Sequence, residues 1–474
     1  MLYINGEWTK SISGKTLIVK NPATGEVIQE VASGGQADTE SAIDAAEQAF
    51  GGWKKKTAKE RADYLKRTAD YLREHADELA HTVTTEMGKP LKESKGEVNL
   101  AIDYLDWYAE EGKRIYGDTI PASAENKRIM VIYEPVGVVA AITPWNFPVA
   151  MLTRKIAPAL AAGCPVVLKP ASATPLSAIK VVEAFDKVGL PKGVINLLSG
   201  SATEIAGEMT RNSKVKKITF TGSTEIGKKL IRDSADTVKK VSMELGGHAP
   251  FIIFEDADLE TVVDGVIASK FRNAGQTCIC TNRIYVQETI AEEFGKKLAE
   301  KVSKLKIGNG LEEGIEIGPL IDAKGIEKVE EHIEDALQHG GEILCGGQKV
   351  SGQGDGNFYE PTVINFANEK MKIALEETFG PVAPIFTFKT VDEAIEQANH
   401  PEYGLASYCF TKDLSRAFKV MEGLEYGIVG INDPIPTTAQ APFGGVKQSG
   451  IGREGGKYGI KDYLEEKFVS INIG

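Results

Sequence analysis

At 474 residues the chain is too long for one small core, and about two or three domains are expected. Its 42% hydrophobic and 26% charged residues are an ordinary globular balance. A net charge of −12, with no basic block to offset it, argues against the positive face of a nucleic-acid binder.

The run Met1 to Trp8 alternates in the manner of a strand and lacks the charged and apolar regions of a signal peptide, so a cytoplasmic location is expected. Helical spacing follows over residues 39–50, 61–72 and 98–108, and residues 129–133 are β-rich. The longest apolar region, residues 136–168, is broken by Pro144, Pro148, Arg154, Lys155, Pro158 and Pro165. A membrane span needs roughly 20 apolar residues without such breaks, so this is buried core and no membrane partner is expected. Short apolar runs at 166–168, 195–198 and 217–220 read as buried parallel strands, with helices such as 177–185 between them. The alternation restarts after Gly246-Gly247, with a strand at 251–254 and a helix carrying Phe294, Leu298, Val302 and Leu305 on one face. The fold class is therefore α/β, with two such units meeting near Gly247. The glycine pair suits a hinge or a plain turn. Residues 468–473 read as a terminal strand that a neighbouring subunit could pair.

Four segments carry groups suited to chemistry. Thr221-Gly222-Ser223-Thr224-Glu225-Ile226-Gly227 follows a strand and opens a helix, where backbone N–H groups can approach a pyrophosphate. The spacing is not G-x-G-x-x-G, and a tight turn without a ligand is the plainer reading of those residues alone. Phe271 to Cys278 places a thiol after a polar, glycine-containing stretch. A catalytic thiol needs partial exposure and a lowered pKa, whereas a single cysteine is ordinarily inert and buried. Glu244 lies between Met243 and Leu245, where desolvation would raise it toward a general base; a strand-end salt bridge is the alternative. Thr143-Pro144-Trp145-Asn146-Phe147-Pro148 is a stiff loop, fit for an amide that holds an oxyanion or for a structural turn. The five cysteines, Cys164, Cys278, Cys280, Cys345 and Cys409, suggest neither a disulfide framework nor a metal site, and no histidine sits in a hydrolase motif.

Taken together and in order, the motifs resemble the aldehyde dehydrogenase superfamily from Tyr3 to Ile473. They are Asn21-Pro22-Ala23-Thr24-Gly25, Pro144-Trp145-Asn146-Phe147-Pro148, Phe220-Thr221-Gly222-Ser223, Glu244-Leu245-Gly246-Gly247, Gly275-Gln276-Thr277-Cys278, Glu377-Thr378-Phe379-Gly380-Pro381 and Pro442-Phe443-Gly444-Gly445. The resemblance implies an aldehyde-dehydrogenase-like fold: a Rossmann-variant NAD(P)-binding domain (1–117 and 136–247), an α/β catalytic domain (248–447), and a β oligomerisation arm (118–135 and 448–474) joining a homo-dimer or homo-tetramer. It implies that Cys278 attacks an aldehyde, that the Asn146 amide and the Cys278 N–H hold the oxyanion, and that Glu244 activates the water that hydrolyses the thioester. Trp145, Gly222, Ser223 and Gly227 belong with the pyrophosphate turn, Lys169 with the adenosine ribose, and Glu377 and Phe379 with the nicotinamide end. Ser172 stands where strictly NAD-using relatives often have Glu, so NADP is plausible and NAD stays open.

Within the superfamily the chain is most similar to succinate-semialdehyde dehydrogenases. This narrower resemblance implies that Arg154, Arg272 and Ser449 bind the substrate carboxylate, with Phe443 at the same site; for each arginine an internal salt bridge is the alternative. Other semialdehydes or an aromatic aldehyde compete, because residues 432–440 depart from the pattern of the best-known members. Some members pair a cysteine matching Cys280 with the nucleophile as an oxidative switch, although positions two apart do not easily meet disulfide geometry. A non-enzymatic structural relative and a cofactor-independent thiol esterase are the readings from other classes. Intact Cys278, Glu244 and Asn146 oppose the first, and hydride transfer separates the second.

Overall fold

The structure is a computed structural model that describes every residue except Gln353 and Pro401. Two sheets organise the molecule. The first has eight strands, in the order Glu7–Thr9, Leu2–Ile4, Ile195–Leu197, Val166–Lys169, Val138–Ile142, Val215–Thr221, Lys240–Glu244 and Gly450–Ile451. Its five central strands are parallel, and the antiparallel strands lie at its edges. Parallel strands buried on both faces need continuous apolar sequence, and every residue of Val138–Ile142 and Val166–Lys169 is buried.

The second sheet has seven strands: Glu342–Cys345, Thr362–Asn365, Val382–Phe388, Thr281–Gln287, Ala249–Ile253, Ala406–Phe410 and Ile428–Ile431. All its pairs are parallel except that of Glu342–Cys345. A third, antiparallel sheet joins Leu464–Asn472 to Lys127–Pro135 and Asp118–Ile120.

The expected helices are present and longer than periodicity indicated, at Gln36–Trp53, Ala58–Glu74 and Leu91–Glu111. Ala58–Glu74 starts at a capping box in which Thr57 accepts from the Glu60 N–H. The apolar stretch that was set aside as a membrane span contains the helix Ala150–Ala162, buried at all 13 residues. Among the described residues no helix is long and apolar enough to cross a membrane.

Two local readings change. The alternating N-terminus is a hairpin, because Asn5 and Gly6 both take positive φ (52° and 77°), as an Asn-Gly turn does. Gly450–Ile451, expected in the β arm, instead pairs with Lys240–Glu244 at the edge of the first sheet.

The Gly246-Gly247 boundary has a steric reason. A Cβ on Gly247 would stand 2.1 Å from the Cys278 carbonyl oxygen, so only glycine lets the two segments meet. Gly275 is under a similar constraint. It follows Asn273 and Ala274 at φ 53° and 52°, has φ 74° itself, and a Cβ there would meet the Gly380 carbonyl at 2.1 Å. Gly275→Ala is therefore expected to cost about 1–3 kcal/mol in backbone strain alone. It should lower the temperature of half-inactivation in a thermal-challenge assay; an unchanged value would mean that the turn relaxes freely.

Candidate active site

Open α/β sheets place ligands beyond the carboxyl ends of their strands, and the candidate residues gather there. Val138–Ile142 runs into the Pro144–Pro148 loop, Val215–Thr221 into Gly222 and Ser223, and Lys240–Glu244 ends on Glu244 itself. Cys278 arrives from the other unit, between the turn Arg272–Gly275 and the strand Thr281–Gln287. It is half-buried and lies on the walls of two cavities of about 290 and 260 Å³, which share Cys278 and Met151.

Burial pushes the Cys278 thiol up to about 12, opposed by the Arg154 guanidinium and reinforced by Glu377 and Glu244. A thiol held there needs a base to become a nucleophile. Glu244 is buried and its Oε2 has no hydrogen-bond partner. Burial, and then the neighbouring Glu454 charge, raise it well above the carboxylate range, while Arg154, Lys155 and Arg453 pull it down. Asn146 is buried, and its Nδ2 donates to the Gln276 carbonyl at 3.0 Å, which ties the amide to the loop that carries Cys278.

The smaller cavity is lined by Trp145, Asn146, Gly222, Ser223, Glu377 and Phe379, among others. Ser223 caps the helix Thr224–Ser234 by accepting from the Ile226 N–H, so the positive helix end faces this side. Glu377 accepts from the Gly247 N–H at 3.2 Å, and burial pushes it up to about 7. Phe379, at φ 56°, sets its ring edge-on to Trp145 with centroids 5.6 Å apart. A helix N-terminus, two aromatic rings and a carboxylate in one cleft ending at a thiol fit the reactive half of a dinucleotide. Gly227 does not line the cleft; a Cβ there would meet Leu245 at 2.3 Å, so it serves close packing. Lys169 ends the neighbouring strand, is buried, donates to the Pro170 carbonyl at 3.1 Å, and is pushed down to about 8 by burial. Ser172 is exposed nearby, donating to the Gly200 carbonyl at 3.3 Å.

The larger cavity brings Arg272, Phe443, Phe147 and Met151 to the thiol. Arg272 stands 5.6 Å from the Phe147 ring centroid, and its buried Nε has no hydrogen-bond partner. The other two residues expected to hold a carboxylate lie elsewhere. Arg154 is buried behind Phe443, 4.0 Å from the ring centroid, and ion-paired to Glu454 at 2.6 Å. The internal salt bridge is thus the observed state of Arg154. Ser449 is fully buried, donating to the Gly246 carbonyl at 2.7 Å and accepting from the Gly404 N–H at 2.9 Å. Its hydroxyl is used up in holding loops. Two hydroxyls that do border the cavity are buried and without a hydrogen-bond partner: Thr277, next to the thiol, and Thr437, from the loop whose sequence is unusual.

Sequence reasoning also missed a buried charge cluster behind Glu244. Lys155 pairs with Glu454 and donates to Thr219 at 3.3 Å. The signal was visible: two adjacent cations in an otherwise apolar helix must find a counter-charge. Cys280 is buried, with its thiol directed to the Gly275 carbonyl at 3.2 Å, and both it and Cys278 are free thiols.

Comparison with known proteins agrees with this geometry. The family described as "Aldehyde dehydrogenase family" matches residues 8–469. A glutarate-semialdehyde dehydrogenase of Pseudomonas putida is 55% identical over 99% of this chain and 97% of its own. An Escherichia coli succinate-semialdehyde dehydrogenase, named for NADP(+), is 54% identical over 99% and 97%. Among solved structures, an NADP-dependent enzyme of E. coli superposes with a TM-score of 0.98 at 54% identity, covering 100% of this chain and 98% of the other. The betaine aldehyde dehydrogenase of Staphylococcus aureus in complex with NAD+ does so at 0.98 and 40% identity, covering 100% and 95%. With nearly its whole length matched and a cysteine set between two clefts, the chain belongs to the aldehyde dehydrogenase family.

Proposed function

We propose that the protein oxidises a carboxylate-bearing aliphatic aldehyde, succinate semialdehyde before glutarate semialdehyde, to the dicarboxylate, with NADP or NAD as hydride acceptor. The observation that carries the substrate class is Arg272, whose Nε is unpartnered on the wall of the Cys278 cavity. A guanidinium in an apolar cleft gains most from a carboxylate that enters with it. Thr437 and Thr277 replace Ser449 as the hydroxyls that assist, because both Oγ1 atoms lack a partner and both residues line the same cavity. Arg154 acts at one remove, through Glu454 and the ring of Phe443.

The chain's own groups then act as follows. Glu244 takes the Cys278 proton, and the thiolate adds to the aldehyde carbon to give a thiohemiacetal. The Asn146 amide turns from the Gln276 carbonyl to the oxyanion, beside the Cys278 N–H. The bound nicotinamide supplies the hydride acceptor. Collapse leaves a thioester on Cys278; Glu244 releases the thiol proton to solvent, and its carboxylate then deprotonates the water that hydrolyses the thioester and frees the Cys278 sulfur. Trp145, Ser223, Glu377 and Phe379 hold the cofactor's reactive half, with Lys169 and Ser172 toward the adenosine ribose. The cofactor would rest mainly on the unit 1–117 and 136–247, with Glu377 and Phe379 reaching it from the unit 248–447 that carries Cys278. A homo-dimer or homo-tetramer in the cytoplasm completes the proposal; it is supported by the exposed outer strand Leu464–Asn472, with Phe468 65% exposed.

Nicotinamide reduction with succinate semialdehyde should be rapid and should vanish in a folded Cys278→Ala variant; turnover retained there would remove the covalent route. Arg272→Leu is expected to lower kcat/KM for succinate semialdehyde about 10- to 100-fold, the worth of a charge-assisted hydrogen bond of ~1.5–3 kcal/mol. Butanal, which has the same length but no carboxylate, should be nearly unaffected; equal losses on both would assign Arg272 to the fold. The Lys169 charge is present below pH about 8 and lost above it. As pH rises through that value, kcat/KM for NADP should therefore fall relative to that for NAD, and parallel profiles would place Lys169 away from the 2′-phosphate.

A further inference from the structure

The loop that carries Asn146 is held by a buried charged pair, Lys89 and Glu97, of which Glu97 also borders the Cys278 cavity. Lys89, in the short connection between the helices Ala76–Met87 and Leu91–Glu111, donates from Nζ to the main-chain carbonyl of Asn146 at 2.6 Å. The same ammonium donates to Glu97 Oε2 at 2.6 Å. Glu97 in turn accepts, on Oε1, the N–H groups of Val149 at 2.8 Å and Ala150 at 3.2 Å, at the start of Ala150–Ala162. One ion pair therefore fixes both the amide-bearing residue and the helix end three residues on. Both side chains are 0% exposed.

From the other side, Asn273 Nδ2 donates to the same Asn146 carbonyl and to the Gln276 carbonyl, both at 3.1 Å. Asn146 Nδ2 already donates to that Gln276 carbonyl. Lys89 also lies 3.7 Å from the centroid of the Phe147 ring, which lines the substrate cavity. A pair this deeply buried is a poor investment for stability alone, since neutral residues of similar shape often serve as well. Its geometry has another use. A carbonyl gripped by a cation cannot swing, so the Asn146 peptide is fixed while the side-chain amide remains able to turn.

We infer that Lys89 and Glu97 are positioning residues for the oxyanion contact of Asn146, setting the amide against the nucleophile's loop before substrate arrives. The inference rests on the proposed role of Asn146. An oxyanion donor must stand where charge develops, and displacement by about 1 Å can cost on the order of 100-fold in rate.

The test is a double-mutant cycle on the holoenzyme. The neutral pair Lys89→Met with Glu97→Gln removes both members of the ion pair together and keeps an acceptor for Val149 and Ala150, while Glu93 retains Arg272 as its cationic neighbour. It is compared in the native and the Asn146→Ala backgrounds, with succinate semialdehyde and NADP. In the native background kcat should fall about 10- to 100-fold. The dissociation constant for NADP, from fluorescence titration, should stay within about twofold, and little further loss should appear in Asn146→Ala. Equal losses in both backgrounds, or an unchanged kcat, overturn the inference. If Asn146→Ala itself keeps native kcat, the role of Asn146 falls and the inference with it. A loss in Asn146→Ala beside full activity in the paired variant overturns the inference alone. Glu97→Gln by itself carries the same comparison if the paired variant does not fold.

Discussion

The helix Ala150–Ala162 is buried at every position and yet holds Arg154 and Lys155 side by side. Charges taken out of water must be paired, or they are among the most destabilising groups in a fold. Glu454 pairs with both. Because it lies in the glycine-rich C-terminal segment, this requirement draws that segment across the first sheet. Phe443 comes to rest over Arg154 on the substrate cavity, Gly450–Ile451 pairs with the strand of Glu244, and Gly444 abuts the Glu244 carboxylate, where a Cβ would stand 2.8 Å from Oε1. Much of the active site's back wall follows from neutralising two cations.

The same cluster tunes the acid–base pair. Glu244 is raised by burial and by Glu454, and lowered by Arg154, Lys155 and Arg453. Cys278 is raised by burial and lowered by Arg154. The Glu244 carboxyl and the Cys278 thiol thus answer to one set of charges, that of Arg154 among them. The thiol stands where two clefts meet: one with aromatic rings, a carboxylate and a helix N-terminus, the other mostly apolar with Arg272, Glu93 and Glu97 at its wall. A single sulfur therefore borders both clefts.

Much of this was legible before any coordinates. Alternating apolar runs gave the parallel strands because burial on both faces demands them, and the motif order from Asn21-Pro22 to Pro442-Phe443 carried the family. The individual roles of Arg154, Ser449 and Gly227 were not legible. Each depends on which group fills its last hydrogen bond or nearest van der Waals shell, and those partners are Glu454, the Gly246 carbonyl and Leu245. Thr437 was missed for the converse reason: nothing about a threonine in a proline-rich loop announces that its hydroxyl will be buried and free.

The sequence by itself determined the α/β class, the family and the motif residues that gather around Cys278, since local patterning and motif order survive without knowledge of contacts. Only the tertiary structure decided which arginine lines the larger cavity at Cys278 and which is locked in the core. It also decided where Gly450–Ile451 pairs and what holds the Asn146 loop still. Those outcomes turn on charges and hydrogen bonds between residues as far apart as 154 and 454, and no pattern along the chain records such distances.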